Sequence, residues 1–344
     1  MIKEKRSVFL FMDERIIEQL ENVPYDGEDA YLELRQLCDL KAKTVNLSEE
    51  ENARLNYELD LIKKWGIAKL FLFGYNLCIN DGLGVSYSIE GNSYVNYLLG
   101  ISKVNPTKYN LNFERFFNEY RKILPSYHIV VEKGNVGKTL KSIYDKYGAN
   151  LFTKSKEDND IYFVLSKPIN TQLIKESRIV ARLNEESYKE RVSVLSYMDL
   201  SRLGYYNFSI NELKGIEYST QDRFSEDEIY QKAKSLLYYK IHDMSAPIEI
   251  AQVKEILANT EYKLVYQEQI VEILNKLCGF DISKSDFMFR EIVKARKDSI
   301  VEVQKILLEK YGDKGQRLID YLCKIAKYTT SKAYVIATLY TVHV

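Results

Sequence analysis

The fold turns on YLLGISKVNPTKYNLNFERFFNEYRKILPSYHIVV, the stretch from Tyr97 to Val131. An apolar helix end at Tyr97–Ile101 runs into a turn at Asn105-Pro106, and the spacing that follows predicts a second helix over Asn112–Lys122. Pro125 then leads into a short apolar strand, Tyr127–Val131. The two prolines are the punctuation. A residue that precedes proline is pushed out of helical geometry, so each proline marks an element boundary.

Upstream, Tyr31–Leu40 reads as a short amphipathic helix. Ser48 followed three residues later by Glu51 is a capping box. It launches the helix RLNYELDLIKKW, which Gly66 should stop. Downstream of the strand comes EKGNVGKT and then a helical run, LKSIYDKYG. Ile161–Leu165 reads as a strand, and Ile179–Leu183 is a further apolar run. Ser225-Glu226-Asp227-Glu228 opens a helix, IYQKAKSLLYYKI, and Ser283 with Asp286 forms another capping box. Asp298–Tyr311 is amphipathic and ends at Gly312.

A chain of 344 residues can bury about two cores. Its 46% apolar and 28% charged content belongs to an ordinary globular protein and excludes a disordered one. A formal net charge of zero does not imply a strong, unspecific electrostatic hold on nucleic acid, and leaves room for a local basic face. The 28 tyrosines, alongside abundant lysine, isoleucine and asparagine, read as the bias of an AT-rich genome before they read as base-stacking devices. Cys38, Cys78, Cys278 and Cys323 lie far apart and match no CxxC spacing, which favours reduced buried thiols over disulfides or zinc. The start of the chain has a basic run, Lys3 to Arg6, and a brief apolar one, Val8 to Met12, without a cleavage region. No apolar segment has transmembrane length, so the expected setting is cytoplasmic, with no membrane partner.

The quoted stretch resembles the palm of the bacterial replicative polymerase, the DNA polymerase III alpha subunit (family C). In that family a glycine-rich loop, a helix ending YLLGI, an Asn/Asp-Pro turn, KYNLLFERFLNPER and P-D-x-D-x-D-F follow in this order. Tyr57, Glu58, Leu59, Asp60, Ile62, Lys63 and Gly66 stand in register with the family's LEYELDVIxKMG. Lys263 to Lys297 is similar to its fingers sequence, through Tyr266, Gln267, Glu268, Gln269, Gly279, Phe280, Asp286, Arg290 and Lys294. The resemblance implies an α+β, helix-rich fold: a family C polymerase palm-like (nucleotidyltransferase-type) sheet with a mostly helical fingers-like domain. The expected division is an N-terminal helical segment over 1–60, a palm-like domain with a reduced or missing thumb over 61–210, and a fingers-like domain over 211–344.

What the family uses for chemistry is altered. Its palm strand carries aspartates that hold two Mg2+ ions, because hard cations take several oxygen ligands. Here those positions read Ser126, His128 and Val130. The glycine-rich loop is replaced by Gly84 to Ser93, with Tyr87 where the family has its arginine. Asp199 matches a remaining catalytic aspartate, but the residue types there equally suit a helix N-cap before Leu200. In the fingers-like part, Arg290, Lys294 and Arg296 fall on or beside triphosphate-contacting positions, or else form a solvated basic face. Ser331 and Ala333 keep the family's FNKSHA pattern, with Thr330 for its lysine and Lys332 for its histidine.

Three functions follow. The first is a catalytically inactive relative that acts by binding a replication protein or replisome component, with DNA as the other ligand, in a phage, plasmid or other mobile element. It expects no cofactor and no metal. The second is an active nucleotidyltransferase whose Mg2+ site is rebuilt from Glu90, Asp199 or Glu132. The third is a nucleotide switch at Lys133–Thr139, close to the variant phosphate loop KGGxGK[ST], with Lys138 and Thr139 on the phosphates. Against it, the acidic run Glu157–Asp160 precedes its strand, whereas a magnesium-directed aspartate should follow one.

Overall fold

A computed structural model describes residues 20–131 and 246–337, apart from 22, 24, 83–84, 87, 122–123, 126, 261, 330 and 335; between them it describes 145–146 and three strand backbones. The chain divides into two compact units, Met1–Glu190 and Arg191–Val344.

In the first unit, helix α1 spans Ala30–Ala42 and is capped by Asp29, whose carboxylate accepts from the Tyr31 and Leu32 amides at 3.0 Å. Helix α2, Glu49–Trp65, has the expected capping box between Ser48 and Glu51 and ends on Gly66 at φ 63°. A left-handed residue at that point suits glycine, which has no Cβ to clash. Helix α3, Ala68–Tyr75, continues into a π-helical turn at Asn76–Asn80. Helix α4 is short, Tyr94–Leu98, so the apolar helix end lies earlier than expected and Gly100, at φ 79°, turns the chain after it. One core joins all four helices to the downstream aromatics. Leu34, Leu59, Ile62, Phe71, Tyr94, Phe113, Phe116 and Tyr127 are each at most 1% exposed. Burying each such side chain contributes about 1.5–3 kcal/mol. Edge-on ring pairs Phe71–Phe116 at 5.6 Å and Phe116–Tyr127 at 5.7 Å add orientation to that burial.

The helix expected over Asn112–Lys122 does not form. Only a 3-10 turn, Phe113–Arg115, is present. Phe113, Phe116 and Phe117 have helical spacing, but Glu114, Arg115 and Asn118 are buried too, so Phe113–Asn118 has no solvent face for a surface helix to present. Asn118 then accepts the Tyr120 amide at 2.9 Å, an Asx turn that diverts the backbone.

Strands β1 (Val85–Ser86), β2 (His128–Val131), β3 (Phe152–Lys154), β4 (Asp160–Val164) and β5 (Arg178–Leu183) form one sheet in the order β1-β2-β5-β4-β3. β2 and β5 are parallel, with His128 opposite Val180, and the other pairings are antiparallel. β3 and β4, paired with each other, thus lie in sequence between the parallel neighbours β2 and β5.

Among its described residues, the second unit builds its regular elements from helices joined by turns and short extended stretches. Its helices are α5 (Ala251–Leu257), α6 (Gln267–Cys278), α7 (Ile282–Val293), α8 (Lys297–Tyr311) and α9 (Asp313–Ile325). Val253, Leu274, Leu277, Met288, Val303, Leu307 and Leu322 are all buried in its core. The capping box expected from Ser283 and Asp286 is not the one used. Asp281 caps α7, accepting the Lys284 amide at 2.7 Å. Asp286 lies a turn further on with no exposed side-chain surface, and the Arg290 Nε donates to it at 2.9 Å.

Candidate functional site

The end of the altered loop is held by a charge clamp on α2. The Arg54 Nε donates to Glu58 at 2.6 Å, and the other two guanidinium nitrogens donate to the carbonyls of Leu111 and Asn92, each at 2.8 Å. Glu58 is fully buried. Its carboxylate also accepts the Ser93 hydroxyl at 2.7 Å and the amides of Tyr94 and Val95 at 2.7 and 3.1 Å. Burial pushes the Glu58 carboxyl up, and Arg54 and the three other donors oppose it. The guanidinium and the two backbone amides can only donate, so three of the four contacts favour the charged carboxylate against the burial. One side chain thus satisfies the first amides of α4 and fixes where the loop before it ends.

Inside that clamp, Glu90 is also fully buried and accepts the Ser88 amide at 3.0 Å. The Asn96 amide group donates to the Glu90 carbonyl at 3.2 Å and accepts the Tyr127 hydroxyl at 3.0 Å. Tyr127 immediately precedes β2 and lies over Gly74 of α3. A Cβ at Gly74 would stand 2.7 Å from the tyrosine ring, so only glycine leaves room. Burial, reinforced by Glu90 and Cys78, drives the Tyr127 phenol well above its ordinary value and keeps it a neutral donor. The entry to β2 is therefore pinned by a buried ring and a buried hydrogen bond.

Beyond that entry the strand carries His128, Ile129, Val130 and Val131. The two positions that bear aspartate in the resembled polymerase offer an imidazole and an alkyl group, and this donor set does not fit two Mg2+ ions. Among the described residues, no three His, Cys, Asp or Glu side chains converge as metal ligands. Ser126, Lys138, Thr139, Glu132 and Asp199 lie outside the described residues.

In the second unit the sequence-nominated cations are spread over two places. Arg290 is bound to Asp286 on its own helix. Lys294 is 61% exposed, with Glu291 at 3.9 Å, and Arg296 is exposed at the start of α8. Between them Ala295 holds a left-handed backbone, φ 54°. A side chain costs roughly 1–2 kcal/mol in that region, so Ala295→Gly should stabilise this unit by about 1 kcal/mol, read as a higher denaturant midpoint at unchanged slope. Lys332 lies elsewhere. Its ammonium is 6.0 Å from the Tyr266 ring centre, and burial lowers its pKa against the pull of Glu268 and Glu272. Glu268 on α6 accepts the Lys332 amide at 3.0 Å and the Ser331 hydroxyl at 3.2 Å. Sequence reasoning matched Glu58 and Glu268 to the family but assigned neither a job. Their signal was a helix glutamate with, far along the chain, a serine placed to start another helix.

Comparison with known proteins places these regions. Residues 31–156 match the family model described as the bacterial DNA polymerase III alpha NTPase domain, and 229–315 match that of the bacterial DNA polymerase III alpha subunit finger domain. A DNA polymerase III subunit alpha of Thermotoga maritima is 23% identical over 379 residues, covering 86% of this chain and 45% of that protein. The corresponding subunit of Staphylococcus epidermidis is 36% identical over 104 residues, 28% of this chain and 9% of its own. That of Aquifex aeolicus is 31% identical over 146 residues, 40% and 12%. The chain thus spans less than half the length of each of these relatives.

Proposed function

Because the chain is a bacterial DNA polymerase III alpha-like protein, we propose that it works by binding a replication protein or DNA, without transferring nucleotides. The carrying observation is a disparity within one site. The parts that set the backbone are in place: the Arg54–Glu58–Ser93 clamp, the Tyr127 ring packed on Gly74, and the strand after Pro125. At His128 and Val130, the side chains that would gather Mg2+ are of the wrong chemistry. A scaffold can outlast its catalytic groups when selection acts on its surface. The sheet containing β2 is, in this reading, the counterpart of the polymerase palm, and α6–α8 the counterpart of its fingers. A phage, plasmid or other mobile element is the genetic setting we infer for such a derivative.

The test is primer extension by the purified full chain with Mg2+ and all four deoxynucleotides, beside affinity purification from the native host. Extension should stay at the no-protein background while a replication protein co-purifies or labelled DNA is retained. Mg2+-dependent extension that disappears in Asp199→Ala would overturn the reading.

A further inference from the structure

The turn after α5 carries a tyrosine where the backbone calls for glycine. Beyond the 3-10 turn Ala258–Thr260, the Tyr262 amide donates to the Leu257 carbonyl at 2.9 Å, and Tyr262 sits at φ 60°. That is the left-handed closing position of a helix, which glycine fills by default, and a bulky aromatic there is an outlier. The conformation is imposed from both sides. The Lys263 amide donates to the Thr260 carbonyl, the Thr260 hydroxyl donates to the Lys263 carbonyl at 2.6 Å, and Gln269 donates to that hydroxyl at 2.7 Å. Such over-determined strain points to a use for the side chain. The residue is 41% exposed, with the Lys254 ammonium 5.9 Å from the ring centre.

We propose that Tyr262 is a stacking platform for an unpaired base of a single-stranded nucleic acid, with Lys254 supplying charge toward the adjoining phosphate. The surroundings favour this over a protein anchor. Anchoring aromatics in protein interfaces sit among neighbours that exclude water. Here Lys254, Glu255, Ala258 and Asn259 are all exposed, and the Glu255 charge acts on Lys276. An aromatic face beside a cation is what sequence-tolerant strand binding needs.

This inference rests on the DNA arm of the proposed function, and one titration separates the two. Fluorescence anisotropy of a labelled oligothymidylate with the full chain should show salt-sensitive binding. Tyr262→Gly should weaken it by about tenfold while raising the melting temperature, since it relieves the backbone. Tyr262→Trp should keep the affinity, and Lys254→Ala should lower it and flatten its salt dependence. Equal binding by wild type and Tyr262→Gly overturns the platform alone. Binding of duplex only overturns the platform and leaves the DNA arm standing, and failure of the wild type to bind either the oligonucleotide or a duplex overturns both and leaves the protein-partner arm.

Discussion

Glu58→Gln should cost the first unit about 3–5 kcal/mol, measured as a drop in the urea midpoint of its unfolding transition. Oε1 takes the Arg54 Nε and the Tyr94 amide, and Oε2 takes the Ser93 hydroxyl and the Val95 amide. A glutamine keeps the shape but must turn an NH2 toward one of those donor pairs, and it removes the charge that balances the guanidinium. Arg54 is only 17% exposed, so the uncompensated cation cannot simply move into water. Its other nitrogens hold the Leu111 and Asn92 carbonyls, and loosening it would free both ends of the 92–111 segment. Ser93→Ala removes one hydrogen bond and should cost only about 1 kcal/mol. If Glu58→Gln unfolds at the wild-type midpoint with the wild-type slope, the clamp contributes nothing and the site is held some other way.

The second unit repeats the device. Glu268 takes a serine hydroxyl and the next backbone amide at Ser331-Lys332, just as Glu58 does at Ser93-Tyr94. In both, a carboxylate on one helix takes the amides that open another helical stretch, α4 after Ser93 and residues 332–334 after Ser331, and meets its positive end. The pairs are 35 and 63 residues apart in the chain. Local sequence logic finds caps within three residues, as at Ser48 and Glu51, and is blind to these. The same limit explains the Ser283–Asp286 expectation: the spacing was right, but Asp281 caps the helix two residues earlier, and Asp286 had a stronger claim from Arg290.

Elements whose ends are set by one residue were legible, such as α2 between Ser48 and Gly66 and α8 ending at Gly312. Those whose state depends on distant partners were not. Phe113, Phe116 and Phe117 mimic a helical stripe, yet their rings are claimed by the core around Phe71 and Tyr127, and burial on every side defeats the helix. The strand at Asp160–Val164 could be read from its apolar run, but nothing in that run tells that β5 will lie between it and β2. Of the site, the loss of carboxylates at His128 and Val130 was visible from residue identity alone. The strain at Ala295 and Tyr262 was not, because neither residue type announces a left-handed backbone.

Gly315→Ala should be the most damaging small substitution in the second unit, costing about 3 kcal/mol, near the upper end for overpacking. Helices α8 and α9 form a tight hairpin turned by Gly312 at φ 57°, with the Gly312 amide on the Leu308 carbonyl at 2.8 Å and the Gly315 amide on the Gly312 carbonyl at 2.9 Å. A Cβ on Gly315 would stand 2.1 Å from the Leu307 carbonyl oxygen and 2.5 Å from its carbon. Ordinary contact begins near 3.4 Å, so the helices would have to part by about 1 Å. The obstruction is backbone, and no side-chain rotation relieves it. Parting them pulls Val303 and Leu307 away from Leu318, Ile319 and Leu322, all at most 2% exposed, and dispersion falls steeply with a gap of that size. Lys314→Ala, one residue away and exposed, should leave the guanidinium midpoint within about 0.5 kcal/mol of wild type. Should Gly315→Ala match that neighbour instead, the hairpin has slack, and the close approach of α8 to α9 is not what holds this unit's core together.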